Sequence, residues 1–286
     1  MTILDNLSQG QSQDPQMAGV DLVDRDITEL ADLAEVFASS DAVIHLAASG
    51  SVVDSMANPE ANFRNNAVGT FNVLEAARRA GTQKVVFAST GGALIGDAEP
   101  PVDEESVPRP ISPYGASKLC GEAYAGAFGR AYDMETVNLR FANVYGPHSW
   151  HKKGAVTAFM KAVMAGNPLI IYGDGTASRD FLYVDDLCDG IRRALDADLT
   201  PGSTFHLASG VETTVAGLAQ AVLDACGKPS HPIEYRPERP GEVERNFARY
   251  DRAYEALGYA PQWSLAQGLR ATWAWFQEIG AKQSDS

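Results

Sequence analysis

Short apolar runs at residues 2–4, 20–23, 42–47, 84–88 and 135–139 alternate with helical patterns through the first half of the chain. Strands that take turns with helices in this way predict a parallel sheet covered by helices on both faces, because each parallel connection needs a crossover. Asn58-Pro59 opens one helix, whose apolar face runs through Phe63, Val68, Phe71, Val73, Leu74 and Ala77 to a stop at Gly81. Ser112-Pro113 opens the next, predicted to end near Gly129. After Gly146-Pro147 the elements shorten and Gly and Pro become frequent, as in Gly173-Asp174-Gly175, Pro201-Gly202 and Arg239-Pro240-Gly241. Residues 1–147 are therefore expected to form the main sheet domain. Residues 148–286 form a smaller lobe with some segments returning to the sheet, and residues 282–286 a frayed tail.

Composition excludes several function classes. A net charge of -14 argues against a nucleic-acid partner, while leaving room for anions held by a few placed arginines. No apolar run reaches the length of a membrane span, and residues 1–5 lack the basic start of a secretory signal, so the cytoplasm is the expected compartment. Cys120, Cys188 and Cys226 are too widely spaced for a disulfide framework or metal cluster and read as small apolar residues of helices. His148 and His151 lack a spaced carboxylate or thiol and read as loop histidines rather than metal ligands.

Tyr114 and Lys118 lie four residues apart, on one face of a predicted helix. A phenol titrates near 10, too high for a base at neutral pH, and a neighbouring ammonium is expected to lower that value. On spacing alone the pair is equally a tyrosine and a lysine on a solvated face. A strand at 84–88 precedes them, however, and ends in Ser89-Thr90-Gly91-Gly92, at the carboxyl end where open α/β sheets bind ligands. Thr90 is the first candidate for a catalytic hydroxyl and Ser89 the second.

With these residues the chain resembles the extended short-chain dehydrogenase/reductase family, the NAD-dependent epimerases and dehydratases of nucleotide sugars. The resemblance implies a Rossmann-type doubly wound parallel sheet with a smaller α/β substrate-binding lobe. It extends almost end to end. Asp5-Asn6-Leu7-Ser8 resembles the end of the second strand, where the acidic side chain accepts from the adenosine ribose and favours NAD over NADP. Asp26-Ile27 resembles the adenine contact, and Leu46-Ala47-Ala48 after His45 the small residues that let the backbone approach the cofactor. Asn66, followed by Val68-Gly69-Thr70, matches an Asn-containing helix of the family. In the second lobe, Asn143 resembles the residue that meets the substrate diphosphate. Arg179, Arg239 and Glu242 resemble its phosphate- and ribose-binding side chains, and Asn246 lies near a position that limits the sugar's C2 substituent.

The resemblance implies epimerisation at C4 of a nucleotide sugar of the UDP-hexose type, with NAD tightly held, Tyr114 as base, Thr90 on the same oxygen and Lys118 on the ribose. Relatives that eliminate water carry an acidic residue just after the Ser/Thr; Gly91-Gly92 stands here instead, which favours 4-epimerisation over a dehydratase or reductase activity. Leu94-Ile95-Gly96 and Phe141 depart from the family's Val-Tyr-Gly and Tyr. The helices at 58–79 and 114–129 resemble those that pair relatives into homodimers. The family opens with a strand, a glycine-rich turn and a helix, whereas this sequence contains no Gly-x-x-Gly-x-x-Gly and starts at the second strand. A gap in the centre of the sheet and weak retention of NAD by the chain expressed from Met1 are the expected consequences, and a noncatalytic relative that binds nucleotide sugars or partner proteins is the alternative.

Overall fold

The computed structural model describes residues 1–8, 19–38, 40–238 and 243–284. In chain order the elements begin with β1 (Thr2–Asp5), β2 (Asp21–Asp24), α1 (Leu33–Phe37), β3 (Ala42–His45), α2 (Val52–Ala57) and α3 (Pro59–Asn62). A π-helical turn, Phe63–Val68, leads into α4 (Gly69–Ala80), followed by β4 (Lys84–Thr90), α5 (Gly92–Ile95), α6 (Pro113–Tyr132) and β5 (Glu135–Phe141). Then come β6 (Asn143–Tyr145), α7 (Ala155–Ala165), β7 (Leu169–Tyr172), β8 (Ser178–Tyr183), α8 (Val184–Asp196), β9 (Ser203–Leu207), β10 (Glu212–Thr214) and α9 (Val215–Ala225). The chain closes with β11 (Ile233–Arg236), β12 (Arg245–Asn246), α10 (Asp251–Leu257) and α11 (Leu265–Ser284). Among the described residues no helix is long and apolar enough to cross a membrane.

The chain divides into two compact units. The first comprises Met1–Leu94, Pro110–Leu139 and Ala194–Thr204; the second comprises Ile95–Arg109, Arg140–Arg193 and Phe205–Ser286. The exchange between them is thus discontinuous, and does not fall at one point near residue 147.

In the first unit β3, β4, β5 and β9 form one sheet in that order, with β3 and β4 parallel and Val43 opposite Val85. Among the described residues β1 and β2 pair with each other as a separate parallel sheet, Ile3 opposite Leu22. The break expected in the middle of the sheet is therefore present, and Ile44 on β3 is 42% exposed. Strand β4 has its first six residues buried, whereas β1 and β2 have none fully buried. The core packs Leu33 and Phe37 of α1 against Val73, Leu74, Ala76 and Ala77 of α4, with Val85, Ala125 and Phe128.

Helix α6 extends three residues past the stop expected at Gly129. A Cβ there would come within 2.6 Å of Thr136 Oγ1 and 2.7 Å of Pro201 Cβ, so Gly129 serves a close approach and not a cap. The helix ends instead at Asp133, whose φ of 54° is left-handed.

In the second unit β8 pairs with β10, β12 and β6, and β7 pairs with β11. Its core gathers Tyr145, Phe159, Met160, Leu169, Ile171, Leu218, Val222 and Phe276. The buried Asp180 carboxylate accepts from Ser209 N and Oγ and from Gly210 N, and Asp186 accepts from Gln262 N and Trp263 N. Both acids therefore hold backbone in place, and their neighbour Arg179 is left as the cation of that segment.

Candidate active site

The corner where β4 meets α6 is built by close approach. Ser112 caps α6 through its Oγ, which accepts from Gly115 N at 3.2 Å, and Pro113 stands in the first turn. A Cβ on Gly115 would lie 2.0 Å from Ala93 O, and one on Gly121 would lie 2.4 Å from Phe87 Cζ, so only glycine lets the helix lie this near. Tyr114 N donates to Ser55 Oγ, which ties the start of α6 to α2.

Within that corner the Thr90 hydroxyl stands beside the Tyr114 phenol, near enough to favour its ionised form. Lys118 is buried; its Nζ donates to Ala88 O at 2.7 Å and stands 4.9 Å from the centre of the Phe87 ring. Burial brings the ammonium down to about 8. Tyr114 moves opposite to expectation: burial raises its phenol above the ordinary value, and the Thr90 hydroxyl opposes it. Lys118 directs its ammonium to Ala88 O, and burial outweighs what favours the Tyr114 phenolate.

Ser89 is turned inward: its buried hydroxyl donates to Glu122 Oε1 at 2.5 Å, while Thr90 stands beside the phenol. Asn66 too has protein partners. Its Oδ1 accepts from Ser49 N at 2.7 Å, while its Nδ2 donates to Ser49 O and to Ser117 Oγ, both at 3.1 Å. No amide hydrogen remains for a cofactor. Asn66 instead joins the loop after β3 to α6, and it does so from the π-helical turn, a local widening common at functional sites. His45, at the end of β3, shares a 3.0 Å hydrogen bond with Thr70 Oγ1 and is pushed down to about 3 by burial and the Lys118 charge.

The loops beyond β1 and β2 carry the remaining first-unit candidates. Asp5 Oδ1 accepts from Leu7 N, and among the described residues Oδ2 has no donor. Asn6 Nδ2 donates to Asp26 Oδ2 at 2.9 Å, and its Oδ1 accepts from the exposed Ser8. Asp26 Oδ1 accepts from Thr28 N, and these bonds hold its carboxyl below the usual range. Ile27 turns its side chain into the core, where it fills the space over Gly69. Leu46, Ala47 and Ala48 are exposed, the first at 56%.

NAD fits the two ends of this arrangement. A ribose acceptor with an available oxygen stands at the end of β1, an open stretch of small residues follows β3, and Lys118 with Tyr114 stands at the end of β4. No residue is assigned to the cofactor's diphosphate.

In the second unit Asn143 is exposed at the start of β6, beside Phe181 of β8. Arg179 of β8 donates through Nη1 to Ser178 O and Glu244 O, and is paired in register with Asn246 of β12. Asn246 is buried with its Nδ2 unpartnered among the described residues. Arg239 and Glu242 lie outside the described residues.

Sequence reasoning missed Glu122, Ser117, Ser49 and Ser55. Glu122 had a readable signal: it follows Lys118 by four residues on the same helix face, among Gly and Ala.

The family model for the NAD dependent epimerase/dehydratase family matches residues 1–208. A UDP-glucose 4-epimerase of Mycolicibacterium smegmatis is 37% identical over 286 residues, covering 96% of this chain and 90% of that one. A dTDP-glucose 4,6-dehydratase of Streptomyces niveus is 32% identical over 258 residues, covering 90% of this chain and 75% of that one. The crystal structure of UDP-glucose 4-epimerase from Thermotoga maritima with UDP-glucose superposes with a TM-score of 0.92 at 32% identity, covering 97% of this chain and 91% of that one.

Proposed function

Because the chain belongs to the NAD dependent epimerase/dehydratase family, we propose that it inverts C4 of a nucleotide sugar of the UDP-hexose type through a transient 4-keto sugar. The observation that carries this reading is the Tyr114 phenol against the Thr90 hydroxyl, at a strand end followed by Gly91-Gly92. Bound beside Lys118 and Tyr114, NAD would supply a hydride acceptor and donor for C4.

The chain's own residues manage the proton. Tyr114 Oη accepts it from the C4 hydroxyl as the carbonyl forms and returns it to the same oxygen when the carbonyl is reduced. Thr90 donates to that oxygen and keeps it within reach of the phenol. The phenol's raised value keeps it protonated in the free protein, so its work as a base depends on positive charge brought close when the cofactor binds. Lys118, already at the strand end, holds the nicotinamide-side ribose, and Asp5 accepts from the adenosine ribose. In the second unit Asn143, Arg179, Arg239 and Glu242 take the substrate's diphosphate and ribose. Asn246, short and with an unpartnered donor, suits a sugar with an N-acetyl group at C2.

A 4,6-dehydratase must move a second proton, and the position after Thr90 holds glycine where that chemistry needs a carboxylate. A noncatalytic binder would purify without nicotinamide absorbance. Proton NMR of UDP-glucose and UDP-N-acetylglucosamine incubated with protein and NAD tests the proposal: each sugar is expected to equilibrate with its C4 epimer. Loss of water from the sugar, or binding of NAD without any conversion, would overturn it.

Homodimerisation through α4 and α6 belongs to the same proposal. Phe71, Tyr124, Phe128 and Tyr132 form a run of edge-on and tilted aromatic contacts, 5.1 to 6.3 Å between ring centres, and Phe71, Tyr124 and Tyr132 are exposed. Sedimentation should give twice the 30.6 kDa chain mass, and a monomer at micromolar concentration would remove the dimer from the proposal.

A further inference from the structure

Four consecutive residues of β4 are each engaged by α6: Phe87 covers Gly121, Ala88 O accepts from Lys118, Ser89 donates to Glu122, and Thr90 meets Tyr114. Three of these contacts are explained by packing or by the reaction. The Ser89–Glu122 pair is explained by neither, yet both side chains are buried, Ser89 at 3% and Glu122 at 8% exposed. A carboxylate among glycines and alanines on a buried helix face is costly unless hydrogen-bonded, so an apolar residue would be the default there.

We propose that Glu122 is a positioning residue for the reaction, acting through Ser89 to set the side chain of Thr90 against Tyr114. Adjacent strand residues point to opposite faces. Holding the Ser89 hydroxyl on Glu122 therefore fixes which face of the strand each residue presents and where the strand ends relative to the helix, and so where Thr90, the next residue, stands against Tyr114. The short 2.5 Å bond lies one residue before the catalytic threonine and two helical turns beyond the catalytic tyrosine. It acts as a strut across the base of the corner, and it also removes Ser89 as a competing donor to the phenol. This inference rests on the roles proposed for Thr90 and Tyr114.

The test compares Glu122→Ala, Ser89→Ala and Glu122→Gln, whose amide oxygen can still accept from Ser89. Each is labelled with carbon-13 at the tyrosine Cζ positions, and the Tyr114 signal is assigned by its loss in Tyr114→Phe. That signal reads the Thr90–Tyr114 geometry without cofactor or sugar, so its result is independent of whether the epimerase reading holds. Glu122→Ala and Ser89→Ala are expected to shift the Tyr114 signal and to lower kcat about 10- to 100-fold, the cost of an ångström-scale misplacement, with KM within roughly threefold. Glu122→Gln should restore the signal and most of kcat. An unmoved Tyr114 signal in folded Ser89→Ala would overturn the proposal, as would activity that falls only in step with melting temperature. Should Glu122→Ala fail to fold, the Ser89→Ala and Glu122→Gln spectra decide the question by themselves.

Discussion

The β4–α6 corner and the β1–β2 pair are both candidates for holding the same cofactor, yet they are built in opposite ways. At the corner, buried side chains from a strand, a helix, a π-helical turn and a loop interlock: Asn66 joins Ser49 to Ser117, Lys118 grips Ala88 O, and Ser89 meets Glu122. At β1–β2 the candidate side chains themselves make, among the described residues, the local turn bonds Asp5 to Leu7 and Asp26 to Thr28 and the link Asn6 to Asp26, while Asn72 of α4 anchors the loop behind them through Ile27 O and Thr28 O. Under the proposed reaction the corner places a phenol and a hydroxyl on one reacting oxygen, where small displacements are expensive. The proposed ribose acceptor tolerates more movement, and the half-buried Asp5 carboxylate at a strand end is sufficient for it. Rigidity is concentrated where the chemistry needs it.

That contrast can be broken at either end. The larger effect belongs to the corner: Asn66→Ala strands Ser49 N and removes a donor from Ser49 O and from Ser117 Oγ, and is expected to lower the unfolding free energy by about 3 kcal/mol. Urea denaturation measures it. A loss below about 1 kcal/mol would mean that water or neighbours replace the amide, and the corner would be less tightly determined than its geometry implies.

The smaller effect belongs to β1. Asp5→Asn keeps the oxygen that accepts from Leu7 N but loses the charge offered to a ribose hydroxyl. NAD should bind about tenfold more weakly, while stability changes by less than ~1 kcal/mol. Calorimetric titration with NAD, beside a melting curve, reads both quantities. Affinity within twofold of the parent would show that Asp5 is only a turn residue, and a large stability loss would show that the pair is as tightly built as the corner.

The same contrast separates what could be read in the sequence from what could not. Strand positions followed from apolar runs bounded by turns, and the expected strands at 84–88 and 135–139 fall within the observed Lys84–Thr90 and Glu135–Phe141. The expected strand at 42–47 stops at His45, because Leu46-Ala47-Ala48 turns out to solvent. Tyr114, Lys118 and Thr90 were legible because helix period and strand-end position put them together without knowledge of the rest. The lowered phenol pKa was not a safe reading, since burial of the phenol, which outweighs what favours its ionised form, is set by tertiary packing and not by helix spacing. Gly129 misled because a glycine that permits close packing looks the same in sequence as one that ends a helix. Asn66 and Ser89 were read as facing ligands when both face inward, a difference set by tertiary neighbours. The π-helical turn had no local signature, and although Glu122 stood out four residues after Lys118, nothing local named Ser89 as its partner.

The central claim is that the Tyr114 phenol moves the proton at C4, and Tyr114→Phe tests it most directly. Single-turnover and steady-state rates should fall about 1,000-fold, the scale of a lost general acid–base group, while nucleotide-sugar affinity by calorimetry stays within a fewfold of the parent. Epimerisation by Tyr114→Phe at a rate within a fewfold of the parent would contradict the account and move the base elsewhere.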